Sequence, residues 1–449
     1  MPEPRPDPND WTVRRWAAGN LAARLLAGPW TRDAIDAAIG ALRISATRRT
    51  RVALGEQVYA LAENTYPPAP RRLTAFLLGS SFFRPPRERI VPAVLDPPVF
   101  APLPPFAGLA IPALATSADL AAWLDVRPPQ LDWLADERGS HGREAHAGLR
   151  HYRYALLPRR DGTPRLLEAP KQRMKAIQRR ILHEILSEVP VHARAHGFVS
   201  GRSCLSGALV HASEAVVATF DLTRFFPSIG LGRVHGIFRS LGYPWAVARL
   251  LAGLCTTVTP EAVLRRLPEK DRVLHGVPHL PQGAPTSPVL ANLLAWRLDL
   301  RLDGLARHAG GQYTRYADDL AFSGDERFAA GLGRLRTAVG TIVAEEGFAL
   351  NDAKTRIMPR SDRQRVTGVV VNAHCNVGRA EFDALKAVLH NCARFGPDGQ
   401  NRTGTPDFRR HLDGRVAWVE QVNPARGSKL RRTFETIDWA DPRNESKIV

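Results

Sequence analysis

Apolar positions recur at helical spacing in the first part of the chain. Between residues 11 and 84, apolar side chains fall every three or four positions in two successive runs, which predicts helices. Thr31 is the predicted N-cap of the second run. Residues 85–115 then carry nine prolines. Because proline fixes φ and removes an amide donor, this stretch predicts a semi-rigid linker after an N-terminal helical extension over residues 1–84.

Helical and strand-like patterns are mixed in the rest of the chain. Helical spacing resumes at Ser117, and residues 171–189 form an amphipathic pattern with basic side chains on the polar face. Runs rich in β-branched and aromatic residues predict strands within residues 151–168, 216–220, 313–323 and 366–372. Residues 380–395 and the basic final segment are again helical in pattern. Strands mixed with longer helices indicate an α+β architecture.

The excess of positive charge indicates what kind of molecule the protein binds. The 449 residues carry a formal net charge of +18, and the pI is near 10.6. Such an excess predicts a polyanionic partner, with nucleic acid first, since each Lys or Arg can neutralise a phosphate and release counterions. A genome rich in G and C, which favours arginine codons, is the alternative source of the charge.

The cysteines and the hydropathy pattern argue against a zinc-finger protein, a disulfide-rich protein and a membrane protein. The four cysteines are scattered and form no CxxC pair, so they predict neither a zinc site nor a disulfide framework. The N-terminus is polar and Pro-rich, and no later stretch is apolar for long enough to span a bilayer. The sequence therefore predicts a cytoplasmic protein without a membrane partner.

Three acidic residues are candidates for metal chemistry. Asp221 follows an apolar strand, and Asp318 and Asp319 lie between two β-favouring segments. A tight hairpin turn centred on Ala317 and Asp318 would present the paired carboxylates at one edge, where they repel each other unless a cation binds. Oxygen ligands favour Mg²⁺, and acids around two ions are an arrangement used for displacement at phosphorus. The alternative is a solvated turn, since Asp is common in turns.

Five segments resemble the ordered motifs of bacterial reverse transcriptases. The N-terminal ones are RRDGTPRLLEAP with KQRMKAIQRRIL at 159–182, then AHGFVSGRS at 195–203 followed by VVATFDLTRFFPSI at 216–229. The others are LPQGAPTSPVLANL at 280–293, YTRYADDLAFSG at 313–324, and GFALNDAKTRIM with RQRVTGVVVN at 347–358 and 363–372. This resemblance implies a right-hand polymerase fold, with fingers and palm over residues 116–378 and a basic helical thumb over residues 379–449.

The resemblance implies a catalytic role for four side chains. Asp221, Asp318 and Asp319, with the backbone carbonyl of Leu222, would hold two Mg²⁺ ions. Lys354 resembles the lysine proposed to protonate the leaving pyrophosphate. A cation at that position is useful whether or not it gives up a proton.

The same resemblance implies contacts with the incoming dNTP. Phe226 matches the aromatic residue whose ring lies under the sugar and excludes a 2′-hydroxyl; the alternative is that Phe226 is a core residue. Gln282 and Gly283 match residues that contact the nucleotide and the templating base. Arg165 resembles the fingers arginine that grips the triphosphate, with help from Arg159 or Arg160, and its alternative is a solvated strand-edge charge.

Two features resemble the retron group, in particular its myxobacterial branch with an extended N-terminal region. Val366, Thr367 and Gly368 match an element thought to contact a structured RNA. The final segment resembles the retron thumb, with RNA-binding candidates at Arg426, Lys429, Arg431 and Arg432; a generic duplex-gripping thumb is the alternative. One departure is Gly207, which stands where retron enzymes have the Asn of an NAxxH segment that here keeps Ala208 and His211.

Retron membership implies a set of partners. These are a dedicated structured non-coding RNA as template and primer, its branched DNA product, an effector protein in defence against phage, and a host RNase H for template removal. Two rival hypotheses remain. One is a reverse transcriptase of another bacterial class, either group II intron-like or a different defence enzyme. The other is a catalytically inactive RNA-binding relic of a polymerase fold.

Overall fold

The chain folds into two compact units. The computed structural model describes residues 11–27, 30–40, 47–61, 68, 70–80, 98–137, 139, 148–158 and 164–439. The first unit comprises Met1–Val189 and Ile229–Ser287, and the second comprises Pro190–Ser228 and Pro288–Val449. Helices and strands are numbered below along the chain.

The first unit begins with four helices, as the apolar spacing predicted. They are α1 (Trp11–Ala27), α2 (Arg32–Gly40), α3 (Arg48–Tyr59) and α4 (Pro70–Gly79). Thr31 caps α2, since its hydroxyl accepts a hydrogen bond from the amide of Ala34 at 3.3 Å. The helices bury a common core that includes Leu21, Ile35 and Leu73, and Trp245 of the same unit belongs to it.

Part of the Pro-rich stretch is held against the first unit by backbone hydrogen bonds. Residues 81–97 lie outside the described residues. Beyond them, the amide of Ala101 donates to the carbonyl of Gly242 at 2.9 Å, and that of Leu103 donates to Ser240 at 3.1 Å. The ring of Phe100 lies 5.1 Å from that of Tyr243. The described part of this stretch is therefore packed in place, and its regular structure is limited to one 3-10 turn at Pro104–Phe106.

The remainder of the first chain segment adds three helices and a hairpin. Its elements are α5 (Ser117–Trp123), α6 (Pro128–Leu134), β1 (Tyr152–Pro158), β2 (Pro164–Pro170) and α7 (Gln172–Glu184). Strands β1 and β2 pair antiparallel, with Tyr152 opposite Pro170. Helix α7 buries Met174, Ile177 and Ile181, the apolar face that its pattern predicted. Residues 159–163, which connect the two strands, lie outside the described residues.

The next segment of the chain belongs to the second unit, and the one after it belongs to the first unit again. The segment in the second unit contains α8 (Cys204–Leu209) and β3 (Val216–Asp221). Four helices then complete the first unit: α9 (Leu231–Ser240), α10 (Trp245–Cys255), α11 (Glu261–Leu264) and α12 (Glu269–His275). Helix α10 is apolar around most of its surface, and it is correspondingly buried.

A four-stranded antiparallel sheet forms the centre of the second unit. After α13 (Ser287–Leu294) and α14 (Trp296–His308), the chain forms β4 (Gly311–Tyr316), β5 (Asp319–Gly324), α15 (Glu326–Ala330), α16 (Leu332–Glu345) and β6 (Arg356–Pro359). The strand order is β4-β5-β3-β6. The central strand β3 is therefore covered on both edges, and its apolar run is buried as the sequence pattern predicted.

The second unit ends in a short hairpin and three helices. Strands β7 (Arg365–Val366) and β8 (Val369–Val370) form the hairpin. They are followed by α17 (Arg379–Phe395), α18 (Phe408–Val422) and α19 (Pro424–Glu435). Leu385, Val416 and Leu430 of these helices share one apolar core with Val366 and Val369. Among the described residues, no helix combines the length and apolar character needed to cross a bilayer.

Candidate active site

Three carboxylates meet at one end of the central sheet. Asp221 is the last residue of β3, and its partner across the ladder is Asp319, the first residue of β5. Ala317 and Asp318 form the two-residue turn between β4 and β5, as predicted. The amide of Leu222 donates to the carbonyl of Asp318 at 2.9 Å, which fixes β3 against this turn. The structure therefore brings Asp221, Asp318 and Asp319 together.

The carboxylate of Asp221 is held by a segment from far along the chain. Lys354 Nζ donates to Asp221 Oδ2 at 2.9 Å, and Asn351 Nδ2 donates to Asp221 Oδ1 at 3.3 Å. The amide of Asn351 also donates to the Asp221 carbonyl at 2.8 Å. Asp221 is 7% exposed, whereas the Lys354 side chain is 62% exposed. Lys354 thus neutralises a nearly buried carboxylate from the solvent side.

Negative charge at this sheet end is only partly compensated. Desolvation by the surrounding protein, with the charges of Asp318 and Asp221, raises the pKa of Asp319 to about 6, although Lys354 opposes the shift. Like charges disfavour ionisation of a neighbouring carboxyl, and a bound cation removes that penalty. The donors are carboxylate oxygens, the ligand type that Mg²⁺ prefers. The residues present therefore fit a divalent metal, with Asp221, Asp318 and Asp319 able to hold it.

A buried arginine supports the turn from beneath. Ala317 has a positive φ of 55°, which is unfavourable for a residue with a Cβ. The guanidinium of Arg315, which is fully buried, donates to the carbonyl of Ala317 at 3.1 Å. It also binds both carboxylate oxygens of Asp299, at 2.7 and 2.6 Å, and Oδ1 of Asn292 at 2.9 Å. The strained turn is thus fixed by a charged network inside the unit.

Gly197 completes the support of the turn. A Cβ at this position would lie 2.6 Å from the amide nitrogen of Ala317, so only glycine allows the approach. Its carbonyl accepts a hydrogen bond from Asn292 Nδ2 at 2.8 Å. None of Gly197, Asn292, Asp299 and Arg315 was among the predicted site residues. The available signal was a charged residue, Arg315, between the β-favouring Thr314 and Tyr316.

Phe225 and Phe226 have different surroundings. Phe225 is 3% exposed, and its ring lies 5.5 Å from Phe348. Phe226 is half-buried and lies 6.2 Å from Phe198, whose ring is 6.3 Å from Tyr316 of the β4–β5 hairpin. Phe226 therefore belongs to a partly exposed aromatic group beside the hairpin, whereas Phe225 is a core residue. Phe198, which is 47% exposed at a positive φ of 61°, is a member of this group that the motif analysis missed.

His211 ties the two hairpin strands together. Its Nδ1 and Nε2 each lie 2.7 Å from a hydroxyl, that of Ser323 on β5 and that of Thr314 on β4. Burial lowers the pKa of His211 to about 3, so the imidazole is neutral. A Cβ at Gly207 would already lie 3.3 Å from the side chain of His196. This packing leaves little room for the Asn of the NAxxH pattern and gives a local reason for the glycine.

Apart from Phe226, which belongs to the second unit, the predicted nucleotide contacts lie in the first unit. Arg165 is exposed on β2, while Arg159 and Arg160 lie outside the described residues. The carbonyl of Gln282 accepts from the amide of Glu168 at 2.8 Å. Gly283 has φ of 128°, and a Cβ there would lie 3.0 Å from the Glu168 carbonyl. Close approach of protein backbone is therefore a reason for this glycine, in addition to the approach of a nucleotide that the motif suggested.

The predicted RNA contacts divide into exposed and internal side chains. Thr367 and Gly368 form the β7–β8 turn, but the side chain of Val366 is 1% exposed and belongs to the core, so it is not available for RNA. Lys429 and Arg432 are exposed.

Two of the predicted cations already have protein partners. Arg431 forms ion pairs with Glu420 and Asp413, and hydrogen bonds to these carboxylates raise its pKa. Arg426 is half-buried over the ring of Phe382, 5.1 Å from its centre. Direct phosphate contact by Arg431 is therefore corrected to a structural role in joining α18 and α19.

Comparisons with known proteins agree with these features. Residues 157–371 match the family "Reverse transcriptase (RNA-dependent DNA polymerase)". The chain is 43% identical over 326 residues to the Retron Mx65 reverse transcriptase of Myxococcus xanthus, a match that covers 72% of each protein. It is 39% identical to the Retron Mx162 reverse transcriptase of the same organism, over 70% of this chain and 65% of the relative. A third relative is the Retron Ec86 reverse transcriptase of Escherichia coli, at 34% identity over 51% of this chain and 65% of the relative. The chain therefore belongs to the retron reverse transcriptases, and its fold is the α+β polymerase fold that its motifs predicted.

Proposed function

We propose that this protein is an RNA-directed DNA polymerase of retron type that adds dNTPs by metal-assisted phosphoryl transfer. The register that places Asp221 opposite Asp319, with Asp318 in the adjoining turn, carries this proposal. Carboxylates from separate strands at one sheet end form a site for divalent cations, and phosphoryl transfer depends mainly on positioning and charge neutralisation.

Two Mg²⁺ ions are the metals we assign to the site. Asp221, Asp318, Asp319 and the carbonyl of Leu222 would hold them. Bound there, the ions would activate the primer hydroxyl as a nucleophile and would neutralise the charge of the leaving pyrophosphate. Lys354 holds Asp221 in place and presents an exposed ammonium on the solvent side, where it can approach a phosphate.

The remaining residues orient the nucleotide. Phe226 would exclude a 2′-hydroxyl, and its half-buried ring beside the hairpin supports this role. Arg165, exposed on β2, would bind the triphosphate. Gln282 and Gly283 would contact the nucleotide and the templating base. We further assign residues 116–378 to fingers and palm, and residues 379–449 to the thumb.

The partners that we propose follow from retron membership. They are a structured non-coding RNA, which serves as template and primer, and the branched RNA–DNA product (msDNA) made from it. An effector protein in anti-phage defence and a host RNase H complete the set, and the cytoplasm is the compartment. Gly368, Lys429 and Arg432 offer exposed groups for the RNA, which such proteins recognise by backbone and shape. Thr367 is half-buried beside Gly368, and its hydroxyl donates to the carbonyl of Cys204 at 3.2 Å.

Incorporation of dNTPs on an RNA template with Mg²⁺ tests the activity. The double variant Asp318→Ala, Asp319→Ala should lose incorporation while RNA binding is retained. The matched control is Asp362→Ala, an exposed acid elsewhere in the second unit, which should keep full activity. Persistent incorporation by the double variant would refute the metal assignment, and a wild-type protein that binds RNA without incorporation would support the inactive relic.

Sequencing of RNA that co-purifies with the protein tests the retron assignment separately. A single folded transcript, enriched over total RNA and encoded beside the gene, is the expected result. A heterogeneous RNA population, obtained from protein that still incorporates dNTPs, would instead support a reverse transcriptase of another bacterial class.

A further inference from the structure

A buried group of metal-ligating side chains lies in the first unit. It consists of Glu168 on β2, His275 at the end of α12 and His279 in the segment that leads to Gln282. The three residues are 0%, 6% and 0% exposed. One ligand atom from each lies within 4.8 Å of the others, and Glu168 and His279 are 111 residues apart in the chain.

The hydrogen bonds of His279 fix the direction of its ring. Its Nδ1 lies 2.8 Å from the carbonyl oxygen of Val277, which can only accept, so Nδ1 carries a proton. The opposite nitrogen, Nε2, lies 2.9 Å from Glu168 Oε2 and 3.1 Å from His275 Nδ1. In the neutral ring, the Nε2 lone pair is therefore directed toward a carboxylate oxygen and a second imidazole nitrogen.

This arrangement is suited to a cation. A single Nε2 proton cannot point at both the carboxylate and the second imidazole, whereas a metal ion placed between the three atoms satisfies all of them. A metal-bound histidine commonly donates its other ring N–H to a backbone carbonyl, as His279 does to Val277. Glu168 has a corresponding support, since its second oxygen accepts a hydrogen bond from the hydroxyl of Thr259 at 2.7 Å.

The spacing of the ligand atoms fits a tetrahedral ion. The three separations are 2.9, 3.1 and 3.8 Å. With metal–ligand bonds of about 2.0–2.1 Å, tetrahedral ligands lie about 3.3 Å apart. Imidazole nitrogen with carboxylate oxygen suits Zn²⁺ better than Mg²⁺, which prefers oxygen alone.

We propose that Glu168, His275 and His279 bind one zinc ion in a structural site. The site is separate from the three aspartates of the second unit, and its existence does not depend on polymerase activity. A tetrahedral zinc ion needs a fourth ligand besides these three side chains, and a water molecule would supply it. All three side chains are buried, which suits an ion that supports the fold. The ion would tie β2 to the segment that ends in Gln282 and Gly283, which already contacts the backbone of Glu168. Metal binding would therefore hold this loop against the hairpin.

Metal content of the full-length protein tests the site directly. After dialysis, elemental analysis of protein expressed with Zn²⁺ should find about one zinc per chain. The variants Glu168→Gln and His279→Gln should each lose it. His235→Gln is the matched control, because His235 is a buried histidine of the same unit outside this group. The double variant Asp318→Ala, Asp319→Ala should also retain its zinc, which separates this site from the aspartates.

A second measurement does not depend on any variant being folded. Wild-type protein stripped with a chelator and refilled with Co²⁺ should give the intense visible absorption of tetrahedral cobalt, and Zn²⁺ should displace it and raise the melting temperature. Stoichiometry near zero in wild-type protein, with no such absorption on addition of Co²⁺, would refute the proposal. The group would then be a metal-free hydrogen-bond network. Equal zinc content in wild type and both ligand variants would also refute it.

Discussion

Lys354 and Asp221 form an ion pair across 2.9 Å, although they are 133 residues apart in the chain. The ammonium therefore occupies one oxygen of a carboxylate that we assign to the metals. Lys354 and a metal ion consequently compete for Asp221 in the unliganded enzyme. On the proposed assignment, the lysine would orient the carboxylate before metal and nucleotide bind, and it would become available to phosphate when they do.

Replacement of Lys354 should therefore change metal binding and turnover in opposite directions. In Lys354→Met, the competitor is removed, so the Mg²⁺ concentration at half-maximal activity should fall. The rate at saturating Mg²⁺ should fall by about 10²-fold, the lower range for loss of a proton-transfer group. Steady-state incorporation across a Mg²⁺ titration measures both quantities.

Lys354→Arg is the matched control because it keeps the charge. Its half-saturating Mg²⁺ concentration should stay near the wild-type value. A parallel loss of turnover and metal affinity in Lys354→Met would show that the lysine only supports the fold of the site.

Selection against ribonucleotides should depend on Phe226. Phe226→Val replaces the half-buried ring beside the hairpin with a smaller side chain, which leaves room for a 2′-hydroxyl. The ratio of kcat/KM for rNTP over dNTP should therefore rise by about 10- to 100-fold, the range for steric discrimination of a small group. Phe225→Leu is the control, since Phe225 is buried and should affect stability without changing the ratio. An unchanged ratio in Phe226→Val would remove the gate assignment.

The buried pair of Arg315 and Asp299 should be sensitive to loss of one partner. Arg315→Leu leaves a buried carboxylate without its cation, which costs about 3–5 kcal/mol of unfolding free energy. The double variant Arg315→Leu, Asp299→Leu removes both charges and should be more stable than Arg315→Leu alone. Urea denaturation of the wild-type protein, Arg315→Leu and the double variant measures their free energies of unfolding. A double variant that is the least stable of the set would contradict this account.

The site carboxylates could be predicted from the sequence because local pattern determines them. An apolar β run ends at Asp221, and two β-favouring segments flank a two-residue turn at Ala317 and Asp318. Strand pairing then places Asp221 opposite Asp319. Local pattern and strand register agree here, so the sequence alone could place the three carboxylates at one end of the sheet.

The sequence does not show whether a basic side chain binds a carboxylate of the protein or is exposed to solvent and nucleic acid. The roles of individual arginines were therefore harder to predict than the site carboxylates. Arg315 lies in strand β4, and only the folded structure shows that its guanidinium binds the carboxylate of Asp299. Arg431 resembles an RNA-facing thumb residue in sequence, but Glu420 and Asp413 of α18 bind it. The group of Glu168, His275 and His279 contains no cysteine. Its two histidines lie four residues apart, but only the fold brings Glu168 to them from 111 residues away.

Stability should fall with acidification because His211 is buried as a neutral ring. Its folded pKa of about 3 lies below the ordinary value of 6.5. Between these limits the unfolded chain takes up a proton that the folded chain does not, so stability is full above pH 6.5 and declines as the pH falls. The slope from one such histidine is about 1.4 kcal/mol per pH unit. His235, whose pKa burial also lowers to about 3, adds a second contribution of the same sign.

Urea denaturation between pH 5 and pH 8 checks this dependence. His211→Gln should be less stable at pH 8, because it loses hydrogen bonds to Thr314 and Ser323, but its stability should decline less steeply below pH 6.5. His390→Gln, at an exposed position on α17, should keep the wild-type slope. Identical slopes in wild type and His211→Gln would contradict the assignment of a buried neutral ring.

Substitution of Arg431 should lower stability, whereas substitution of its neighbour Arg432 should weaken RNA binding. Arg432 is exposed on α19, so Arg432→Gln should weaken RNA binding and lower the slope of log affinity against log salt by about one contact, with little change in stability. Arg431→Gln removes the partner of Glu420 and Asp413, and it should lower the melting temperature while the salt slope of the folded protein stays unchanged. Filter binding over a salt series, with thermal melts of the same preparations, separates the two effects. An arginine engaged by two protein carboxylates has little charge left to release counterions from a phosphate. A flattened salt slope in Arg431→Gln, with unaltered melting, would therefore contradict this account and return Arg431 to the RNA-contacting residues.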